Sequence, residues 1–148
     1  MALNFNQFAA EANEFLNEYT KELMLDGDTD RAGRILSSIL HGLRHVITIE
    51  ESLQLISQFP MFLKAVYVNT WSAHKKKRVK NMTEFIDLVM KFDGSSSIID
   101  FKSYEMAENY INATFVMLHR YISSGELENI RSGLPKDLKS MVYHKIIF

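Results

Sequence analysis

The sequence contains no cysteine, only two prolines and only six glycines. The absence of cysteine excludes disulfide scaffolds, Cys-ligated zinc, iron–sulfur clusters and thiol catalysis, and it is consistent with a reducing compartment. The scarcity of proline and glycine argues against an all-β protein, which would need a turn about every ten residues. A chain of 148 residues is long enough for one domain with its own core.

Long apolar runs and an excess of one charge are also missing. No stretch reaches the roughly 18 consecutive apolar residues of a membrane helix, and the N-terminus lacks the charge pattern of a signal peptide. The 17 basic and 18 acidic residues leave a net charge of −1, so no global field attracts nucleic acid. We therefore expect a soluble, cytoplasmic protein that does not engage a membrane.

Apolar residues recur at steps of three and four almost throughout, which predicts amphipathic helices. The first such stripe contains Phe5, Phe8, Ala12, Phe15, Leu16, Tyr19 and Leu23. Asp28 or Thr29 is a predicted N-cap, and Thr48 is another. Pro60 and Pro135 each predict the start of a new helix, because proline is tolerated in the first turn. The sequence thus predicts an all-α protein of about eight helices.

The second half repeats the pattern of the first. A shift of 75 places Leu36 on Ile111, Leu55 on Ile130, and Pro60 on Pro135. Apolar matches alone are weak evidence, since any two amphipathic helices can be aligned in this way. The proline match is stronger because the chain has only these two prolines. We predict two similar four-helix repeats packed into one compact domain.

A basic segment separates the two predicted repeats. Residues 72–80 contain five of the 17 basic residues, and their removal leaves 12 basic against 18 acidic residues. We predict a first helical repeat at 1–71, a basic connection at 72–80 and a second helical repeat at 81–148. Each repeat alone would have a marginal core, so stacking of their apolar faces predicts one structural domain overall.

The first repeat resembles a bacterial family catalogued as domain of unknown function 2267. The resemblance covers most of the chain, and its most specific part is the proline element with the tyrosine and tryptophan that follow. The residues that carry it are Ala32-Gly33-Arg34-Ile35-Leu36, Leu40-His41-Gly42-Leu43-Arg44, Ile47-Thr48-Ile49-Glu50-Glu51, Gln58-Phe59-Pro60, Leu63-Lys64, Tyr67 and Trp71.

The second copy departs from this pattern, with Gly125 where the first has Glu50 and no tryptophan at its end. The resemblance implies an all-α, cytoplasmic bacterial protein. It implies no activity, because none is established for the family.

Two groups of polar residues have spacings that resemble parts of metal sites. His41 and His45 lie four residues apart and could share a zinc ion on one helical face. They fall off the apolar stripe, so we predict that both are ordinary histidines on the solvent side. Glu11, Glu14, Glu18 and Glu22 predict a solvated acidic face, because no histidine follows a glutamate at the spacing of a di-iron bundle.

The sequence contains no motif for catalysis or for cofactor binding. It has no Gly-x-Ser-x-Gly elbow, and the Gly94-Ser95-Ser96-Ser97 segment lacks the lysine of a phosphate-binding loop. We predict no catalytic residue, no cofactor and no metal.

The most unusual local feature is the basic run with its neighbouring tryptophan. These residues are candidates for contact with a partner or a polyanion: Trp71, His74, Lys75, Lys76, Lys77 and Arg78. Lysines can hold phosphates and Trp71 could stack on a base. Adjacent lysines point in different directions, however, and the rest of the chain is acidic, so nucleic acid is not the favoured partner. We expect Trp71 to belong to the core.

We therefore expect a non-catalytic helical module that binds an unknown protein partner or associates with itself. The first alternative is a protein that binds a small molecule or metal between the two repeats. The second alternative is contact with nucleic acid or another polyanion through residues 74–80.

Overall fold

The computed structural model describes residues 3–72 and 76–142, and within them it contains helices and no strand. The prediction of an all-α fold with about eight helices is confirmed for this part of the chain. The α-helices are α1 (Phe5–Glu22), α2 (Thr29–Val46), α3 (Ile49–Gln58), α4 (Met61–Val68), α5 (Met82–Asp93), α6 (Ser97–Asp100), α7 (Tyr104–Leu118) and α8 (Ser124–Ser132). Two 3-10 helices span Gly94–Ser96 and Lys136–Met141.

Short polar side chains begin most of these helices. At six helix starts, the N-cap side chain accepts a hydrogen bond from a backbone N–H of the first turn. The caps are Asn4, Asp28, Thr48, Asn81, Ser103 and Ser123. Two of the predicted caps, at residues 28 and 48, are therefore confirmed.

The two prolines also stand at helix starts. Pro60 is the N-cap residue of α4 and Pro135 is that of the last 3-10 helix. The helix after Pro135 was expected to be α-helical, but it has the 3-10 form, with Leu138 N–H donating to the carbonyl of Pro135 at 2.9 Å. A segment of six residues is short enough for this tighter geometry.

Helix α2 lies at the centre of the fold. It packs against α1, α4, α5 and α7, and Ile35, Ile39, Leu40 and Leu43 are fully buried. Its most extensive packing is against α5, which belongs to the second half of the chain. The apolar stripes of the two halves therefore bury one another in a single core.

Helices α2 and α5 approach each other closely at Gly42. A Cβ atom added there would lie 2.9 Å from Cγ2 of Val89 and 3.6 Å from the ring of Phe85. Both neighbours are fully buried, and valine is stiff at χ1, so neither can yield easily. Glycine is needed at residue 42 because the two helices cross without room for a side chain.

Buried polar contacts join the same two halves. The hydroxyl of Tyr19 on α1 lies 2.7 Å from that of Thr114 on α7. Arg34 on α2 donates two hydrogen bonds to the Asp100 carboxylate at the end of α6, both at 2.9 Å. Arg31 adds a hydrogen bond to the Asp100 carbonyl at 3.0 Å. A bidentate contact of this kind fixes the angle of approach as well as the distance.

A second carboxyl group lies beside Asp100. Burial, together with the adjacent Asp100 carboxylate, raises the pKa of Asp93 from 3.8 to about 7. Burial would raise the pKa of Asp100 as well, but hydrogen bonds from Arg34 and Asp93 lower it. Asp100 is therefore ionised at neutral pH, whereas the pKa of Asp93 lies near neutrality, so that this carboxyl group is partly protonated there.

The first stability prediction concerns the close approach at Gly42. We expect Gly42→Ala to lower the free energy of unfolding by about 1–2 kcal/mol, because overpacking outweighs the gain in helix propensity. Gly33→Ala is the matched control on α2, since its Cβ would meet nothing within 4 Å. It should raise stability by up to about 1 kcal/mol. Urea unfolding of both variants tests this, and equal stabilisation by both would contradict the close packing.

The second stability prediction concerns the proton on Asp93. Because its folded pKa is raised, its contribution to stability is complete below pH 3.8 and is lost as the pH rises through about 7. We expect Asp93→Asn to remove this loss, since asparagine stays neutral and still donates to Asp100. The measurement is the difference in unfolding free energy between the two proteins from pH 5 to pH 8, in which other titrating groups cancel. A pH-independent difference would refute the shift.

Candidate functional site

A largely apolar concave surface is a groove lined by α1, α2 and α4, with a volume of about 470 Å³. Phe15 and Leu36 form its buried floor, and Leu16, Phe62 and Val66 are half-buried along its walls. Small residues, Ala12, Gly33 and Ala65, complete the lining. We call this surface the α1–α2–α4 groove. It lies within the first half of the chain and not between the halves.

Aromatic side chains pack against one another at the groove. The ring centroid of Phe15 lies 5.3 Å from that of Phe62 and 5.8 Å from that of Tyr19. Tyr121, which follows α7, also packs against Phe15, with ring centroids 6.0 Å apart. Because these rings come from α1, from α4 and from the turn after α7, the shape of the groove depends on the tertiary fold.

One end of the groove is acidic. An adjoining cavity of about 290 Å³ shares Phe15 and Phe62 with the groove and is also lined by Glu11, Glu14 and Glu18. Glu18 forms an ion pair with Arg120, so two of the three glutamates have no ion-pair partner among the described residues. The acidic face predicted for the first helix therefore borders an apolar surface.

The other end of the groove opens toward the second half. A cavity of about 480 Å³ shares Leu16, Gly33 and Ser37 with the groove. Its remaining lining includes Asp30 and the Arg34–Asp93 region described above. The three cavities are neighbours: the apolar groove shares lining residues with each of the other two, and both of those contain carboxylates in their lining.

The predicted basic site is only partly described. Trp71 is half-buried and packs edge-on against Tyr67, with ring centroids 5.9 Å apart. It is therefore neither fully in the core nor an open stacking platform. His74 and Lys75 lie outside the described residues.

Lys76, Lys77 and Arg78 are exposed, and all three line one pocket of about 370 Å³ with residues 133–135. These three residues therefore border one concavity, together with the segment that follows α8.

The expectation that His41 and His45 face solvent is wrong. Their exposed fractions are 8% and 7%. Nε2 of His41 lies 2.8 Å from the carbonyl oxygen of Val66, and Nδ1 of His45 lies 2.8 Å from that of His41. Burial lowers the pKa of His41. The side of α2 away from its main stripe is covered by α4 and α5, which periodicity within α2 cannot reveal.

Arg44 is a structural residue that the sequence reasoning missed. It is 6% exposed and donates through Nη1 to the carbonyls of Tyr67 at 2.6 Å and Asn69 at 2.8 Å. Burial lowers its pKa. The last carbonyls of a helix lack intrahelical donors, so the Arg44 guanidinium caps the C-terminus of α4. It thereby also positions the chain that leads into the basic connection.

Metal-binding clusters and membrane-spanning helices are both absent from the described part of the chain. Residues 3–72 and 76–142 contain no group of three or more His, Asp or Glu side chains able to hold a metal ion. Over the same residues, no helix combines the length and the apolar character that crossing a membrane requires.

Comparison with known protein families assigns the chain to a family. No curated protein matches the chain. The profile of an uncharacterized conserved protein family, DUF2267, matches residues 12–141 and so covers the helices that form the groove and the core. On this evidence the chain belongs to the DUF2267 family.

Proposed function

We propose that the protein is a non-catalytic interaction module whose α1–α2–α4 groove binds an amphipathic helix of a partner protein. The observation that carries this proposal is an apolar groove of about 470 Å³ bordered by carboxylates. Grooves of this type accept the apolar face of a helix through side chains spaced at i, i+3, i+4 and i+7.

The small residues in the lining support a helical occupant. Gly33 has nothing within 4 Å of an added Cβ, and Ala12 and Ala65 are likewise short. A partner helix can therefore approach α1, α2 and α4 closely before its side chains meet those of Leu16, Phe62 and Val66. Ser37 and Asn69 are the polar members of the lining, and they supply hydrogen-bonding groups at the rim.

The charged residues around the groove indicate which charge the partner helix should carry. Glu11 and Glu14 lie at one end and Asp30 borders the other. The neighbouring cations are engaged, since Arg34 binds Asp100 and Arg120 binds Glu18. A helix with basic residues beside its apolar face would be attracted to this surface and would dock in one register.

We also propose that the fold arose from two tandem copies of one helical unit. The N-caps support this, because Asn4 and Asn81 both begin a first helix, and Thr48 and Ser123 both begin a third. Asp28 and Ser103 begin the second helices, and the two prolines stand at the fourth.

We propose a bacterial cytoplasmic location as well. The lack of cysteine and the bacterial family resemblance support it.

Blocking the groove should abolish binding of a suitable helix. The probe is a labelled peptide of about 18 residues with leucines on one helical face and lysines on the other. We expect Gly33→Met to weaken binding by at least about tenfold, because its side chain would occupy the groove. Fluorescence anisotropy measures the affinity.

Gly125→Met is the matched control for this experiment, since Gly125 on α8 also has free space and does not line the groove. It should leave the affinity unchanged. Equal effects of both substitutions, or no binding of the peptide to the unmodified protein, would refute the proposal.

The glutamates beside the groove should make it bind a basic peptide in preference to an acidic one. We expect Glu11→Gln with Glu14→Gln to weaken binding of the lysine peptide about three- to tenfold at low salt, and less at high salt, because exposed charges are screened. Glu105→Gln with Glu108→Gln on the exposed face of α7 is the matched control. A peptide with glutamate in place of lysine should bind more weakly. If it binds as well as the lysine peptide, the charge argument fails.

A further inference from the structure

A second concave surface involves none of the residues of the α1–α2–α4 groove. It lies between residues 76–79 of the basic connection and residues 133–135, which follow α8. Lys76, Lys77 and Arg78 contribute its charge, and Val46 and Leu134 contribute its apolar part. We call it the basic pocket. Its volume of about 370 Å³ lies within the ordinary range of small-molecule sites.

The backbone that carries these cations is anchored to the body of the protein. The N–H of Lys77 donates to the carbonyl oxygen of His45 near the end of α2, at 2.5 Å. Two residues later, the side chain of Val79 is 7% exposed and belongs to the core. Lys77 and Val79 therefore fix the chain on both sides of Arg78, and the pocket does not depend on a freely moving loop.

The three cations lack internal counter-charges. Within the described residues, no carboxylate lies within 4 Å of Lys76, Lys77 or Arg78, although four other arginines form ion pairs. Glu51 approaches the pocket at Gly133, but its Oε1 accepts from the backbone N–H and the hydroxyl of Thr48. Like charges on consecutive residues repel one another, and a bound anion would remove that cost.

The geometry points to the basic pocket as a binding site for a small phosphate-bearing molecule. Arginine can donate two parallel hydrogen bonds to phosphate, and lysines supply point charges beside it. A nucleic acid would need a longer basic track and an open aromatic platform. Trp71 instead packs edge-on against Tyr67, and the remainder of the chain is acidic.

Calorimetric titration with inorganic pyrophosphate in about 50 mM salt tests the site, because low salt preserves charge interactions. We expect the unmodified protein to bind, and the triple variant Lys76→Gln, Lys77→Gln, Arg78→Gln to bind at least about tenfold more weakly. All three residues are exposed, so the variant should keep its thermal unfolding temperature. Binding should also shift the backbone amide resonance of Gly133, which lines the pocket.

The matched control has the same change of charge elsewhere. Lys21, Lys91 and Lys102 are exposed and lie outside every cavity described above. Their triple substitution by glutamine should leave pyrophosphate affinity within about twofold, since distant exposed charges are screened. Equal weakening by both triple variants, absence of binding, or tighter binding of a single-stranded RNA of about 12 nucleotides than of pyrophosphate would overturn the assignment.

Discussion

The rest of the structure depends on the burial of helix α2. Twelve of its 18 residues are buried, because helices from both halves of the chain pack around it. Gly42 allows α5 to pack closely against α2. That contact joins the two halves into one core. On other parts of α2, His41 and Arg44 reach carbonyls of α4, and His45 reaches a carbonyl within α2 itself.

The junction between the halves contains ionisable groups as well as apolar ones. Arg34 reaches from α2 to Asp100, and Asp93 shares that site with a pKa near neutrality. Asp100 is fully buried whereas Arg34 is partly exposed, and desolvation of the carboxylate offsets part of its attraction to the guanidinium. The apolar contact of α2 with α5 buries the larger side chains of this junction.

The two surfaces with functional potential differ in chemistry and in origin. The α1–α2–α4 groove belongs to the first half, is apolar and is bordered by glutamates. The basic pocket is assembled from the connection and the end of α8. Their separation follows from the segregation of charge along the chain, where five basic residues are gathered in residues 72–80 and the remainder is acidic. The molecule thus has one concave surface adjoining glutamates and another lined by lysines and an arginine.

Local signals in the sequence were sufficient for the helices. The apolar stripe of α1, the caps at Asp28 and Thr48 and the two prolines are interactions within a few residues, so they can be read without the fold. Tertiary structure alone decided that His41 and His45 are buried, that Phe15 meets Phe62, and that Lys76, Lys77 and Arg78 share one pocket. Those outcomes depend on which helices pack on α2 and at what distance, and a periodicity within one helix carries no information about its neighbours.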